Sequence, residues 1–194
     1  SFGTARGVFA TITGIPDVQL SKFSTRNEES VNQRTIINDF DGYEKYYFIG
    51  GRSQFNNFKG LISNINNVHL FEEGKYKAPS INVWGISDKN LFLEANDILA
   101  KEQKPFFAII QTADNHRPFN IPVEDSDFVR RIVPEDSLQK YGFETLKEYH
   151  AFAYTDYCIQ KFMEAARKKP WFENTIFVFT GDHGVEGNAS AMYP

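Results

Sequence analysis

The 194-residue chain carries 21 Lys and Arg against 25 Asp and Glu, a formal net charge of −4, and 41% hydrophobic residues, which is the composition of an ordinary globular domain. It has no long basic run to neutralise a phosphate backbone, so a nucleic-acid partner is excluded. The single cysteine, Cys158, excludes an intrachain disulfide and a cysteine metal site, and its helical surroundings predict a buried structural thiol.

Helical and strand patterns alternate along the chain, and this order is typical of a mostly parallel sheet between two layers of helices. The predicted class is therefore α/β, a three-layer α/β/α fold. Two long connections, residues 17–34 and 113–138, are predicted to be loops, and the length of the second suggests a functional role. The predicted helices cover residues 7–14, 55–65, 87–100 and 143–168, and the predicted strands cover residues 45–49, 68–71, 105–112 and 175–180.

The last predicted strand and the residues after it give the clearest chemical signal. Residues 175–180 are β-branched or aromatic, which predicts a fully buried strand. Asp182 and His183 follow at its carboxyl end, where open α/β sheets collect ligands. One carboxylate oxygen and one imidazole nitrogen suit Zn²⁺ or Mn²⁺. The alternative is that Asp182 caps the next turn and His183 lies at the surface.

Thr4 stands at or near the start of the first predicted helix. One interpretation is helix capping, which contributes about 1 kcal/mol. The other uses the preference of helix N-termini for anions: a hydroxyl there can attack phosphorus and hold the resulting phosphate, with a metal ion to activate it. Gly3 and Gly7 would let substrate and backbone approach closely.

His116 and Arg117 follow the strand predicted at residues 105–112, so they lie at the same end of the sheet as the Asp-His pair. A neutral histidine beside an arginine could donate to a substrate phosphate or protonate a leaving alkoxide. The alternative is that Asp114 and Asn115 form a turn and His116 is exposed.

The remaining polar candidates have weaker signals. Gly50 and Gly51 could begin a polar pocket or a plain strand-to-helix connection, and no Walker pattern is present. His69 and His150 have no metal partner at useful spacing, so both are predicted to be structural or surface residues.

Six short motifs follow one another along nearly the whole chain: Thr4-Ala5-Arg6-Gly7, Thr13-Gly14-Ile15-Pro16, Tyr47-Phe48-Ile49-Gly50-Gly51, Trp84-Gly85-Ile86-Ser87-Asp88, Asn115-His116-Arg117-Pro118-Phe119 and Phe179-Thr180-Gly181-Asp182-His183-Gly184. In this order they resemble the sulfatase-like branch of the alkaline phosphatase superfamily. The most similar group is the lipoteichoic acid synthase and phosphoglycerol transferase enzymes of bacterial envelopes.

The resemblance implies a role for each matching residue. Thr4 matches a nucleophile that takes phosphoglycerol covalently and also binds the metal. Asp182 and His183 match metal ligands. His116 matches a histidine that contacts the substrate, and Arg117 and Arg6 are assigned to substrate binding with it. The implied cofactor is one divalent metal ion, Mn²⁺ by preference, with Zn²⁺ or Mg²⁺ as alternatives.

The implied function is metal-dependent transfer of phosphoglycerol from a membrane phospholipid to an envelope glycan or polymer through a phosphothreonine intermediate. Two alternatives remain open at this point: phosphoethanolamine transfer, and a catalytically silent relative that binds envelope lipid or glycan. The implied location is the bacterial cell membrane, with the catalytic domain in the periplasm or outside the cell, tethered to a membrane anchor.

The chain also departs from the family pattern. A further glutamate ligand would precede Ser1 and another ligand would follow Pro194, so residues 1–194 are expected to be one sulfatase-like catalytic domain that is incomplete at both ends. The ligands present fall short of the four that a tight site needs, which predicts weak or absent metal binding. The family's Trp and Arg substrate contacts have no clear match at residues 55–58. No Cys or Ser followed by x-Pro-x-Arg occurs around Thr4, so sulfate-ester hydrolysis is not expected.

Overall fold

The described residues form a sheet of three parallel strands, with the first strand of the chain in the centre and the second and third at its two edges. The computed structural model describes residues 3–18 and 22–184. Strand β1 spans Glu44–Ile49, β2 spans Val68–Phe71 and β3 spans Phe106–Gln111. All three lie where the sequence predicts them, and their carboxyl ends meet at one edge of the sheet.

Six α-helices within the described ranges pack around this sheet. The two longest of them each follow an N-cap residue whose side chain accepts a hydrogen bond from the first turn. Ser87 accepts a hydrogen bond from the Asn90 amide, and Thr145 accepts one from the Glu148 amide. The helices are α1 Thr4–Thr13, α2 Glu28–Val31, α3 Phe58–Ile62, α4 Asp88–Leu99, α5 Glu135–Lys140 and α6 Leu146–Ala166.

Alternate side chains of β1 enter opposite layers of the core, as the period of a strand requires. Tyr47 and Ile49 pack in the cluster that contains the buried residues of α1 and α3. Tyr46 and Phe48 pack against the buried face of α4. Helix α6 covers α4 from outside, with Cys158 fully buried between them. The three-layer α/β/α prediction and the buried cysteine are both confirmed.

Residues 175–180 do not form a strand, so that prediction is wrong. Ile176 is 90% exposed and Val178 is 79% exposed, while Phe177 between them packs against Trp171. A buried strand needs a neighbouring strand to satisfy its backbone groups, and within the described residues no strand pairs with this segment. The apolar residues alone do not provide that partner.

The first connection is more ordered than a surface loop. It contains a 3₁₀ turn at Ser24–Arg26 and helix α2, and both Thr25 and Val31 are buried. Residues 19–21 of the predicted loop lie outside the described residues. The second connection is irregular as predicted until α5 begins near its end.

Two predicted helices have different bounds. Helix α1 begins at Thr4 rather than at residue 7, because Gly3 turns the backbone with φ 98° and its carbonyl accepts the first helical hydrogen bonds. The helix predicted over residues 55–65 divides into a 3₁₀ turn and α3. Asn56 and Asn57 have positive φ angles of 49° and 56°, which a continuous α-helix excludes.

Candidate active site

Thr4 is the first residue of α1, and its hydroxyl lies between two histidines. The distance from Thr4 Oγ1 to His116 Nε2 is 3.0 Å, and that to His183 Nε2 is 3.4 Å. The N-cap position belongs to Gly3, and no side chain caps the helix. The capping interpretation of Thr4 is therefore wrong. The structure brings together three residues that the sequence singles out from opposite ends of the chain.

The hydrogen bonds of His116 define which nitrogen faces Thr4. His116 Nδ1 lies 3.2 Å from the Ala113 carbonyl oxygen, which only accepts, so Nδ1 carries the hydrogen. In a neutral imidazole the other nitrogen, Nε2, is then an acceptor. The Thr4 hydroxyl donates to it. His116 therefore stands where a general base for this hydroxyl has to be. The predicted turn is present, since the His116 amide donates to Ala113, but His116 is only partly exposed.

His183 presents an acceptor to the same point. Its Nδ1 lies 2.7 Å from the Gly184 carbonyl oxygen, so Nε2 carries the lone pair, 3.7 Å from Asp182 Oδ2. The Thr4 hydroxyl hydrogen is directed to His116, so Thr4 Oγ1 and His183 Nε2 face each other at 3.4 Å as two acceptor atoms, and Asp182 lies beside His183. A histidine held through its other nitrogen by a carbonyl is the usual arrangement of a metal ligand, and His183 is oriented in this way.

The donor set fits a divalent metal only in part. One carboxylate, one imidazole and one hydroxyl suit Zn²⁺ or Mn²⁺ in kind. Among the residues that the structure describes, no group of three or more His, Cys, Asp or Glu side chains could hold a metal ion. The described residues therefore supply fewer donors than a tight site requires.

Gly7 explains how Asp182 comes so close to α1. A Cβ atom added to Gly7 would lie 2.2 Å from the Asp182 carbonyl oxygen and 2.7 Å from its Cβ. Any side chain at residue 7 would therefore push Asp182 away from the helix. The sequence predicts that another part of the molecule comes close to α1 at Gly7. In the structure that part is the backbone of Asp182.

Among the described residues, neither Arg6 nor Arg117, the two arginines predicted to bind substrate, donates a hydrogen bond to Thr4. Arg117 pairs with Glu144 at 3.0 Å and is 75% exposed. Arg6 packs over the ring of Phe23, and its Nε is buried with no hydrogen-bond partner among the described residues. Substrate binding by these two residues stays a prediction.

Trp84 belongs to one of the six motifs, but the sequence assigned it no role in the site. Its ring lies against the His116 ring, with centroids 4.6 Å apart, and its Nε1 donates to the Arg117 carbonyl oxygen at 2.7 Å. Phe55 packs edge-on against the other side of the indole at 5.2 Å. No local pattern predicts these contacts, because the residues are about 30 positions apart in the sequence.

The glycine pair after β1 accommodates the segment that carries Trp84. A Cβ at Gly51 would lie 2.7 Å from the Trp84 carbonyl oxygen, and one at Gly85 would lie 1.9 Å from the Gly50 carbonyl oxygen. The glycines thus permit two backbones to touch. Of the two interpretations of Gly50-Gly51, the structure favours a packed connection over a polar pocket.

Two buried aspartates link the start of α4 to the loop after β3. Asp88 Oδ1 and Oδ2 accept hydrogen bonds from the amides of Ala113 and Asp114 at 2.8 and 3.1 Å. Asp114 Oδ2 accepts one from the Asp88 amide at 2.6 Å. The two side chains are 1% and 2% exposed. Burial raises the pKa of both carboxyls, and the charge of Asp88 raises that of Asp114 further.

Asparagine at residue 114 is expected to reduce the pH dependence of stability. An aspartate whose pKa is higher in the folded state binds more protons there, so the free energy of unfolding falls as pH rises from about 4 through the raised value. Asp114→Asn removes this loss and keeps an oxygen for the Asp88 amide. A pKa difference of one unit between the folded and unfolded states corresponds to about 1.4 kcal/mol. At pH 9 the free energy of unfolding of the variant should therefore be larger than that of the wild type by at least about 1.4 kcal/mol.

Thermal unfolding from pH 5 to 9 measures this difference. The exposed Asp156→Asn is the matched control and should follow the wild-type curve. The other ionisable groups near the pair are Lys89 on α4 and Tyr154 and Cys158 on α6. Parallel curves for the wild type and Asp114→Asn would contradict the raised pKa of Asp114.

Solved structures with the same fold place the chain in the alkaline phosphatase superfamily. It superposes with a TM-score of 0.69 on an alkaline phosphatase superfamily protein from Vibrio parahaemolyticus, at 26% identity over 87% of this chain and 40% of that one. It also superposes on the lipoteichoic acid synthase LtaP from Listeria monocytogenes, with a TM-score of 0.70 and 18% identity over 87% and 41% of the two chains. At 18% identity the second likeness concerns the fold alone.

The sequence defines the family more narrowly. The Sulfatase family model matches residues 1–193, and the chain belongs to this family. It is 25% identical to lipoteichoic acid synthase 1 of Bacillus subtilis and 24% identical to lipoteichoic acid synthase of Staphylococcus saprophyticus, over 92% of this chain. The chain spans 27% of the length of each. The family resemblance predicted from the motifs is confirmed.

No helix within residues 3–18 and 22–184 is long and apolar enough to cross a membrane.

Proposed function

We propose that this chain is part of an enzyme that transfers phosphoglycerol from a membrane phospholipid to an envelope glycan or polymer. The observation that carries the proposal is the Thr4 hydroxyl at the start of α1, 3.0 Å from an acceptor nitrogen of His116. The similarity to lipoteichoic acid synthases supports the substrate class. A threonine without the sulfatase signature around it favours a phosphate ester over a sulfate ester.

The first half-reaction uses the residues around α1. His116 accepts the Thr4 proton as Thr4 Oγ1 attacks the phosphorus of the lipid phosphodiester. The bond between phosphorus and the diacylglycerol oxygen breaks, and that oxygen takes a proton from water. Because Gly3 has no side chain to cap the helix, the first amides of α1 stay available to the phosphoryl oxygens.

The second half-reaction reverses these roles. A hydroxyl of the acceptor attacks the phosphorus of phosphothreonine and releases its proton to solvent. His116 returns the stored proton to Thr4 Oγ1 as the bond between phosphorus and threonine breaks. The same histidine therefore holds the threonine proton for the lifetime of the covalent intermediate.

A divalent metal ion, Mn²⁺ by preference, would be held by Thr4, Asp182 and His183 together with ligands outside the described residues. When bound, such an ion activates a hydroxyl and offsets the charge of a phosphoryl group. We further propose that residues 1–194 are one sulfatase-like catalytic domain, and that the whole protein is anchored in the bacterial cell membrane with this domain on the outer side.

The proposed function is tested by diacylglycerol release from fluorescent phosphatidylglycerol by the intact protein with added Mn²⁺. Release that requires Thr4 is the expected result, and phosphatidylethanolamine should be a poor donor. Release from phosphatidylethanolamine alone would replace the proposed head group with phosphoethanolamine. Metal binding without turnover of either lipid would instead support a silent binding protein.

Alanine at residue 7 is expected to lower the transfer rate by ~10²-fold, because a displacement of about 1 Å at a reacting group costs this much. A Gly→Ala change inside a helix usually stabilises by up to about 1 kcal/mol. Gly7→Ala should instead displace Asp182, whose carbonyl would lie 2.2 Å from the new Cβ. The measurement is the transfer rate together with the Tm.

The matched control for this change is Gly60→Ala in α3. There the three atoms nearest the new Cβ, at 2.6 to 2.9 Å, all belong to the side-chain amide of Asn57, which would have to leave its hydrogen bond to the Thr25 carbonyl oxygen. The control should keep the wild-type rate. An unchanged rate in Gly7→Ala would show that Asp182 does not act from its position against α1.

A further inference from the structure

We propose that Trp84, just before α4, and Asp88, the first residue of α4, are positioning residues that hold His116 in register with Thr4. This inference rests on the proposed function, in which His116 takes and returns the threonine proton. Neither residue touches Thr4 through a described hydrogen bond. Both act on the short loop between Ala113 and Arg117, one from the ring face of His116 and one from the backbone.

Trp84 restricts the His116 ring from its face. The two rings are tilted by 35° with centroids 4.6 Å apart, so the indole occupies the space through which the imidazole would have to turn. A turned ring would take Nε2 away from Thr4. Trp84 is held at its ring and at its backbone, because indole Nε1 donates to the Arg117 carbonyl oxygen and the Trp84 main-chain amide donates to Asn82 Oδ1, each at 2.7 Å.

Asp88 acts on the opposite edge of the same ring, through the backbone. Its Oδ1 accepts from the Ala113 amide, and the Ala113 carbonyl is the group that accepts from His116 Nδ1. Asp88 thereby fixes the residue that sets both the tautomer and the angle of His116. The bond between Asp114 and the Asp88 amide closes the link from the other side. A buried carboxylate that accepts two amide hydrogens is strongly held, because each bond to a charged acceptor is worth more than a neutral one.

The segment from Trp84 to Asp88 is packed against the carboxyl end of β1. Gly85 has φ 101°, and its backbone touches that of Gly50 and Gly51 at the end of β1. The Ile86 amide also donates to the Gly50 carbonyl oxygen. The carboxyl ends of β1 and β3 are therefore joined through this segment, and His116 takes its position from both strands.

The kinetic test compares Trp84→Ala, Trp84→Phe and Asp88→Asn in the intact protein. We expect kcat for diacylglycerol release from phosphatidylglycerol to fall about 10- to 100-fold in Trp84→Ala and Asp88→Asn, with KM nearly unchanged. Trp84→Phe keeps a ring on His116 and should recover most of kcat. Rates are divided by the fraction of folded protein, measured by far-UV circular dichroism, so loss of folded protein does not count as loss of positioning.

Trp171→Ala is the matched control, since it removes the other tryptophan of this chain from an aromatic cluster away from Thr4. It should lower the Tm and leave the corrected kcat unchanged. If the wild type is active and Trp84→Ala and Asp88→Asn keep the wild-type corrected kcat, the positioning role is overturned while the proposed function stands.

A second readout does not depend on transfer at all. The emission of Trp84 is obtained as the difference between the wild type and Trp84→Phe at one pH, and contact with an imidazole quenches indole emission. We expect Asp88→Asn to brighten this emission toward the level of His116→Gln, with unchanged far-UV circular dichroism. Emission that stays at the wild-type level in Asp88→Asn would show that Asp88 does not hold His116, whatever reaction the protein catalyses.

Discussion

Replacing Thr4 with alanine is expected to lower phosphoglycerol transfer by at least about 10³-fold and to abolish the covalent intermediate. The physical reason is its position at the start of α1, within hydrogen-bond distance of His116 and close to His183. Removal of the hydroxyl takes away the group that the proposed mechanism phosphorylates. The measurement is release of diacylglycerol together with detection of phosphothreonine at residue 4 by mass spectrometry.

Thr11→Ala is the matched control, because Thr11 lies in the same helix and is exposed. Its hydroxyl donates only to the Gly7 carbonyl oxygen, so its loss should change transfer by less than about twofold. Thr4→Ser keeps a hydroxyl and should keep measurable transfer. Full activity in Thr4→Ala would remove Thr4 from the mechanism and with it the phosphothreonine intermediate.

Replacing His116 with glutamine is expected to lower transfer by about 10²- to 10⁴-fold, the usual contribution of general acid–base catalysis. Glutamine can still donate and accept hydrogen bonds, but it cannot carry the threonine proton through the life of the intermediate. Both half-reactions should therefore slow. Single-turnover measurements of phosphothreonine formation and decay separate the two effects.

His150→Gln is the control for His116→Gln. It tests whether replacing a different histidine lowers the transfer rate by the same factor. His150 lies on α6, and its Nε2 is 2.7 Å from the Arg131 carbonyl oxygen. Its replacement should leave both half-reactions at the wild-type rate. If His116→Gln and His150→Gln lowered the transfer rate equally, the loss would indicate a general structural effect rather than proton transfer at Thr4.

Strands β1, β2 and β3 and helices α4 and α6 follow from local sequence. Each strand is a short run of apolar and β-branched or aromatic residues that ends at a polar or glycine residue. Helices α4 and α6 follow the N-cap residues Ser87 and Thr145, whose side chains satisfy amides that a helix start leaves open. These signals act within a few residues, so the sequence carries them directly.

Residues 175–180 are a segment whose structure the local sequence does not predict correctly. Their composition is more strand-like than that of β2, yet Ile176 and Val178 lie exposed. The state of a strand depends on a hydrogen-bonding neighbour that can be far away in the sequence. A similar limit applies to Asn56 and Asn57, whose left-handed backbone interrupts a run with good helical spacing.

The sequence by itself determined which residues are candidates for the site. Thr4 begins α1 and His116 follows strand β3, at the sheet edge where ligands collect, while the Asp182-His183 pair follows an apolar segment that forms no strand. Only the tertiary structure decided the geometry: which nitrogen of His116 faces Thr4, which ring covers it and which backbone fills the space at Gly7. The physical reason is that these contacts join residues up to 179 positions apart, and short-range patterns do not encode them.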